Sequence, residues 1–418
     1  MLPSDGPVVL SGHQADLWHG GILVKHFASL AFSARSGAQS AWIVVDQDES
    51  GELGMRIPVR DAAGHLRETR WQWGESAGRE ASAIAPIPVR EPVLKPDESF
   101  ALPSVAEGVR MAAAALSARA TEANWARQVS AAGADLIARS APPPRFVYES
   151  RLASTELFQQ FLDGLVRGGT DVIDGYNEAI ARAPDSGMRQ LDAASGELPL
   201  WDVRGPRRKR VLIADFEKLD RARLAPRGML MTAMLRLGAC DFFVHGLGGG
   251  QYDRATEVWV AGWRGELAKL AQELGGSLAP MAVATANLLL PLATAGLPSE
   301  AEIRRGVWMA HHALHDPRAL GDERGAIEKA GLLAQIREKK AKGEDPASDF
   351  AKLHSVLEQS RRVGAAKHAE IARIAATLKQ QRREAKIAFD RTWSFALQAP
   401  GVIGSLHERV GAAFRNPL

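Results

Sequence analysis

The chain has 418 residues, with 46% hydrophobic residues, 24% charged residues and a formal net charge of +3 at pH 7. That length suits two or three domains with a large core, and the small net charge gives no electrostatic case for nucleic acid. Its one cysteine, Cys240, excludes an intramolecular disulfide and a cysteine metal cluster. No basic segment followed by an apolar core marks a signal peptide, and no apolar run approaches the ~20 residues of a membrane span. The expected setting is cytoplasmic, with a small-molecule substrate and with neither membrane nor nucleic acid as partner.

Val8, Val9 and Leu10 form a short apolar run that stops at the polar turn Ser11-Gly12-His13-Gln14. Gly20 and Gly21 precede a helical pattern with Ile22, Phe27, Leu30 and Ala31 on one side, and Lys25 lies within it. Residues 41–45 are a second apolar run, which ends in Asp46-Gln47-Asp48. Strand, helix and strand predict a parallel βαβ unit. In such sheets, residues at the carboxyl ends of the strands face the ligand crevice. His13, Gln14, Asp46 and Asp48 fall at such ends, and alternation points both aspartates to the same side.

Residues 55–59 and 65–73 flank Asp61-Ala62-Ala63-Gly64, the pattern of a β-hairpin. A stretch with several prolines over 85–103 reads as a connection. Helical patterns cover about 104–140 and 154–183, with Pro142, Pro143 and Pro144 as the break between them. Strand signals return at 198–203 and 211–216. The basic run from Arg204 to Arg210 between them reads as a solvated turn rather than a phosphate contact. A helix is expected over 229–237 and a strand over 241–244, beside which Cys240 reads as a buried structural thiol. That strand ends in His245-Gly246-Leu247-Gly248-Gly249-Gly250, and the next helix is expected to start near Tyr252. Two distant regions thus offer strand, glycine-bearing turn and helix, and both are expected at one crevice.

From about residue 299 strand signals end and helix-favouring residues dominate. Gly343, Asp345 and Pro346 suit a break between two helices. A heptad then runs from Phe350 through Leu353, Leu357, Ser360, Gly364, Lys367, Ile371, Ile374, Leu378, Gln381 and Ala385 to Ala388. Its centre is weak for a long two-stranded coiled coil. An antiparallel hairpin fits better, with its tips free to meet a second subunit in a homodimer. The expected plan is an α/β parallel-sheet core over 1–298 with a helical insertion at about 104–185. A helical hairpin or coiled coil over 299–392 follows, and residues 393–418 return to the core.

Ser11-Gly12-His13-Gln14, then Gly20-Gly21, then Lys25, then a strand led by Trp42 that ends in acidic residues, resembles the bacillithiol biosynthesis cysteine-adding enzymes. Those enzymes carry a Thr-Gly-His/Gln-Gln segment near the first strand, a helical lysine, an acidic strand end and a C-terminal helical region. A related bacterial group shares Tyr176-Asn177, the segment from Glu197 to Trp201, an arginine-rich turn and the segment from Phe243 to Asp253. The resemblance spans most of the chain through short segments. It implies a Rossmann-like core akin to nucleotidyltransferases. It also implies ligation of an amino acid, cysteine in that family, to a small molecule, with ATP or another adenine nucleotide and optionally magnesium. The chain departs from the family in reading Asp46-Gln47-Asp48-Glu49, where the family histidine is missing or displaced according to the alignment of the motif, and in being shorter than the usual member.

His13 can donate to phosphate oxygens as charge develops, or bond nearby backbone. Gln14 can bond a nucleotide or a carboxylate, or close the turn. Lys25, at a position where helical lysines are usually solvated, becomes a phosphate or carboxylate ligand by its family position. Asp46 and Asp48 can orient a cation, an ammonium group or ribose hydroxyls, or cap the next turn. Without a histidine at Gln47 the motif loses its natural general base, and His13 with Asp46 has no established metal-ligand spacing. The glycine turn can cradle phosphate, or form a tight strand-to-helix connection. His311 and His312 fit a helix surface. The expected catalytic set is His13, Lys25, Asp46, Asp48 and His245, with no metal ligands. The expected cofactor set is Gly12, Gln14, Gly246, Gly248, Gly249, Tyr252 and Asp253. Three functions remain open. One is a ligase that activates a carboxylate as an acyl-phosphate or acyl-adenylate. The second is a nucleotide- or sugar-binding homologue without that activity. The third is an interaction protein acting through its C-terminal helices.

Overall fold

The computed structural model describes residues 6–50, 53–75, 78–292, 298–313 and 315–415. The apolar run at Val8 opens β1 (Val8–Gln14), which leads into α1 (Gly20–Ser36) and β2 (Gln39–Val45). The hairpin β3 (Leu53–Arg60) and β4 (Leu66–Gly74) follows, then β5 (Ser99–Phe100), α2 (Pro103–Ala118) and α3 (Trp125–Ile137). Next come β6 (Phe146–Tyr148), α4 (Glu156–Arg182), β7 (Glu197–Asp202), β8 (Lys209–Leu212) and β9 (Leu224–Pro226). The core closes with α5 (Gly228–Gly238), β10 (Phe242–His245), α6 (Leu247–Ala261), α7 (Gly265–Glu273) and β11 (Met281–Val283). Four further helices are α8 (Glu300–Ala313), α9 (Glu323–Lys342), α10 (Ala347–Val363) and α11 (Ala365–Ala388), and α12 (Pro400–Arg415) ends the described chain.

The central sheet has five parallel strands in the order β6-β2-β1-β10-β11. The chain winds outward from β1 through β2 to β6, then reverses and winds from β10 to β11. This is the doubly wound, Rossmann-like order, with its topological switch point between β1 and β10. Alternation divides the strands between two apolar layers. Leu10, Ala41, Ile43 and Phe243 pack with Phe158, Phe161, Ile173 and Trp259. Trp42 and Val44 face the other way, with Leu23, Phe27, Ile403 and Leu406. Burial on both faces explains why these strands read as continuous apolar runs. Full burial of residues such as Leu10 and Ile43 contributes about 1.5–3 kcal/mol each.

The chain divides into two units, one of Met1–Val59, Glu68–Leu290 and Arg391–Leu418, the other of Arg60–Arg67 and Pro291–Asp390. Among the described residues no helix is long and apolar enough to cross a membrane. In the second unit, Gly343 caps α9 with a φ of 72° and Asp345 accepts from the N–H of Ala347, so the expected turn is present. Leu332, Ile336, Leu353 and Val356 then hold α9 against α10.

Several expectations are corrected. β1 does not stop before Ser11-Gly12-His13-Gln14 but continues through it to Gln14, because Gly12, a residue without a Cβ, fits beside β2. A Cβ on Gly12 would stand 2.6 Å from the carbonyl oxygen of Ile43. The expected break after the prolines contains β6, and α4 packs on the central sheet, so residues 104–185 are not a single helical insertion. The strand signals near 198 and 211 form a separate antiparallel sheet, β8-β7-β9. α6 starts at Leu247 rather than near Tyr252, since glycines are tolerated in a first turn that lacks backward hydrogen bonds. The heptad from Phe350 is broken at Gly364, where α10 ends, and Leu378 of α11 lies over Gly306 of α8. The helical unit therefore holds two nested pairs about the turn at 343–346, α9 with α10 and α8 with α11, as a hairpin whose arms are each interrupted instead of continuous.

Candidate functional site

β1 and β10 each lead into a helix whose first turn borders the switch point. A cavity of about 520 Å³ lies there, with His13, Lys25, His245 and Gly246 in its wall. Leu247, Gly248 and Gly249 continue that wall along the first turn of α6. Gly246 precedes the helix with extended backbone and no side chain caps it. The first backward hydrogen bond runs from Gly250 to Gly246. The N–H groups of Leu247, Gly248 and Gly249 therefore have no helical acceptor and carry the positive end of the helix dipole. A Cβ on Gly248 would meet nothing within 4 Å, so the turn is open at that point. A Cβ on Gly249 would collide with the His245 ring, and one on Gly250 with Val283.

Lys25 rises from the second turn of α1 and is buried, at 5% exposure. Its Nζ donates to the carbonyl oxygen of Gly12 and stands 4.9 Å from the centroid of the Trp42 ring. Burial pushes its pKa down to about 7. His13 is half-buried, and burial followed by the charge of Lys25 pushes its pKa down to about 3, so its imidazole is neutral at ordinary pH. Its Nδ1 is buried without a partner. His19 caps α1 by accepting from the N–H of Gly21 at Nδ1, 3.0 Å away, which leaves the proton on Nε2.

His245 is buried between Phe243 and Tyr252, with ring centroids 4.5 and 5.6 Å away. Its Nε2 stands 3.2 Å from Oδ2 of Asp253 but off the line of a hydrogen bond. Tyr252 lines the cavity, and its hydroxyl is 3.2 Å from Oγ1 of Thr232. Asp253 does not reach the cavity. It is fully buried and accepts from Nη1 of Arg236 at 2.6 Å, a structural pairing.

The two strand-end aspartates diverge, because β2 ends at Val45 and alternation ends with it. Asp46 turns inward and accepts from the N–H and hydroxyl of Ser150, at 2.8 and 2.6 Å. Burial raises its pKa, against the pull of the Ser150 bonds. It anchors the segment after β6 and is absent from the cavity wall. Asp48 does line the cavity, accepting from Nε2 of Gln14 at 2.8 Å and pairing with Arg208 at 2.7 Å. The switch point thus brings together Gly12, His13, Gln14, Lys25, Asp48, His245, the glycine turn and Tyr252, and leaves out Asp46 and Asp253.

Other residues at the site were not among the expected site residues. Trp201, Arg208, Arg227 and Arg391 line the same cavity. The basic run was expected to be solvated, yet Arg208 turns inward to Asp48, while Arg204 pairs with Asp202. Its position next to the Trp201 segment was the available signal. A second cavity, of about 430 Å³, shares His13, Gln14, His19, Ile22 and Asp48 with the first and adds Arg56, Arg70, Trp73 and Trp125. Elsewhere, Asn177 bonds the backbone of Leu191 and Tyr176 is buried, so that pair is structural. Cys240 is partly buried, and burial pushes its thiol up to about 12.

Among its described lining residues, the first cavity sets Lys25, Arg208, Arg227, Arg391 and the uncapped first turn of α6 against the carboxylate of Asp48, an arrangement suited to an anionic group. Among the described residues no group of three His, Cys, Asp or Glu side chains is arranged to hold a metal ion. No protein-family model matches this chain, and no curated protein matches it.

Proposed function

We propose that this chain binds an adenine nucleotide at the switch point between β1 and β10 and uses it to activate a carboxylate for attack by a nucleophile. The observation that carries the reading is the uncapped first turn of α6 facing the same cavity as buried Lys25. Backbone N–H groups and a dehydrated ammonium are what a phosphate chain needs, and they gain strength where water is excluded. The open space at Gly248 leaves room for close approach to the backbone. Magnesium would enter with the phosphates, since Asp48 is the one carboxylate among the described residues of the wall. The adjoining cavity, which shares His13 with the first, supports a reaction between two ligands. His13, neutral, would donate one hydrogen bond at their junction and carry no charge of its own.

The motif resemblance to the bacillithiol biosynthesis cysteine-adding enzymes supplies the finer form of this reading, ligation of an amino acid to a small molecule. A second reading, nucleotide binding without ligation, is favoured by Asp46, which is consumed by Ser150. One experiment separates them. ATP binding is measured by calorimetry, and nucleotide cleavage is then followed over panels of carboxylates and amino acids. Binding with cleavage supports the ligase, binding without cleavage supports the second reading, and no binding at millimolar ATP sinks both.

A further inference from the structure

The segment from Glu197 to Trp201 and the basic run after it take no part in the reading above, yet the fold brings both to the same cavity. The guanidinium carbons of Arg208 and Arg227 lie 4.8 and 3.9 Å from the centroid of the Trp201 ring. Each arginine is also oriented by a carboxylate. Arg227 donates from Nη2 to buried Glu197 at 2.6 Å and from Nε to the carbonyl oxygen of Leu200 at 3.2 Å. Arg208 pairs through Nη2 with Asp48 at 2.7 Å. Stacking and pairing together fix both guanidinium planes.

Neither fork is used up. Among the described residues Nη1 of Arg227 has no partner, and Nε of Arg208 is buried without one. A buried donor with no acceptor is unfavourable, and the cavity beside it is where an acceptor can enter. Both arginines line the cavity that Lys25 and the α6 turn also line. They reach it from different parts of the fold. Lys25 and the glycine turn follow strands of the parallel sheet, whereas Trp201 belongs to β7, Arg208 to the turn before β8, and Arg227 to the position that precedes α5.

We propose that Arg208 and Arg227, stacked on Trp201, form a second oxyanion subsite in this cavity, so that its occupants present two anionic groups rather than one. The proposal rests on the nucleotide reading only for the identity of the first group. The second is a planar or tetrahedral oxyanion that a guanidinium fork can grip in two places. It comes either from the terminal phosphate of the nucleotide or from the carboxylate of the second substrate.

Calorimetric titration of the full chain with ATP, AMP and succinate tests this, on the wild type and on Arg208→Met, Arg227→Met and Gly248→Asp. Ligand-free melting shows which variants fold. Arg208→Met is the safer variant, because Asp48 keeps its bond from Gln14, whereas Arg227→Met strips buried Glu197 of a partner. If the subsite holds a terminal phosphate, Arg208→Met weakens ATP at least tenfold and AMP less than threefold. If it holds a carboxylate, the same variant spares both nucleotides and removes succinate binding, which Gly248→Asp retains. Should the wild type bind succinate but neither nucleotide, the nucleotide reading falls and the succinate comparison alone decides the subsite. The proposal is overturned if folded arginine variants bind every ligand within twofold of the wild type, or if the wild type binds none of the three.

Discussion

The ammonium of Lys25 donates a hydrogen bond to the carbonyl oxygen of Gly12, tying a helix to the end of the strand that precedes it. A neutral carbonyl offsets little of the cost of burying a charge, which is why burial brings this lysine to about pH 7. An arriving phosphate would supply the missing counter-charge and draw a proton onto Nζ.

Affinity for ATP is therefore expected to be level below about pH 7 and to fall as pH rises above it, approaching tenfold per pH unit where Lys25 is mostly neutral. Calorimetry in buffers of different ionisation heat should show proton uptake on binding near pH 8, and none with Lys25→Met. A Kd that does not change between about pH 6 and pH 9 removes Lys25 from the phosphate site.

The α6 turn separates two glycines that look alike in sequence. Gly248 faces open space, so Gly248→Ala is expected to leave stability within about 0.5–1 kcal/mol, with a gain the more natural sign in a helix. Gly249→Ala drives a Cβ into the His245 ring and should cost about 1–3 kcal/mol. Thermal melts of the two single variants check this. Equal stabilities would mean that the turn is not seated on His245.

The βαβ start, the glycine turn and the helical C-terminal third were legible because each rests on local pattern. Val8 to Leu10 and residues 41–45 are apolar on both faces, and Gly343 with Asp345 spells a helix break. What escaped was set by long-range contact. Phe146-Val147-Tyr148 is too short to read as a strand without Trp42, Ile43 and Val44 to pair with. Asp46 and Asp48 are chemically equivalent in sequence, and only Ser150, 104 residues from Asp46, draws one of them inward. Arg208 looked solvated because its partner Asp48 lies far away along the chain. Periodicity could not reveal the interruption at Gly364, since a glycine in a heptad also fits a weak helix.

Glu149 is buried at 4% exposure, with Oε2 unpartnered, beside the charges of Asp46 and Asp48. Burial, then those two carboxylates, raises its pKa well above the usual range. Below about pH 4.5 the folded and unfolded chains both hold this proton and no penalty arises. As pH rises past that value the unfolded chain ionises first, so the group increasingly favours unfolding. Glu149→Gln is expected to stabilise the protein by about 1–3 kcal/mol near pH 8 and to be neutral near pH 4. Urea denaturation at both pH values measures it, and a pH-independent difference would assign the effect to packing instead of ionisation.

Gly364 tests the organisation of the helical unit. Were α10 and α11 one continuous helix, an alanine at its middle would stabilise it by about 0.5–1 kcal/mol, because glycine loses the most backbone entropy on folding. In the fold described here Gly364 separates the two helices, and a Cβ there would strike the carbonyl oxygen of Leu320 and stand 2.9 Å from its Cβ. Backbone on the opposing side cannot swing away as a flexible side chain can. Gly364→Ala is therefore expected to destabilise the unit by about 1–3 kcal/mol. Leu353→Ala, in the apolar seam between α9 and α10, should cost about 2–4 kcal/mol and calibrates the scale. Chemical denaturation of the full chain, followed by helical circular dichroism, reads both. A stabilised Gly364→Ala variant would mean that α10 and α11 run as one continuous helix.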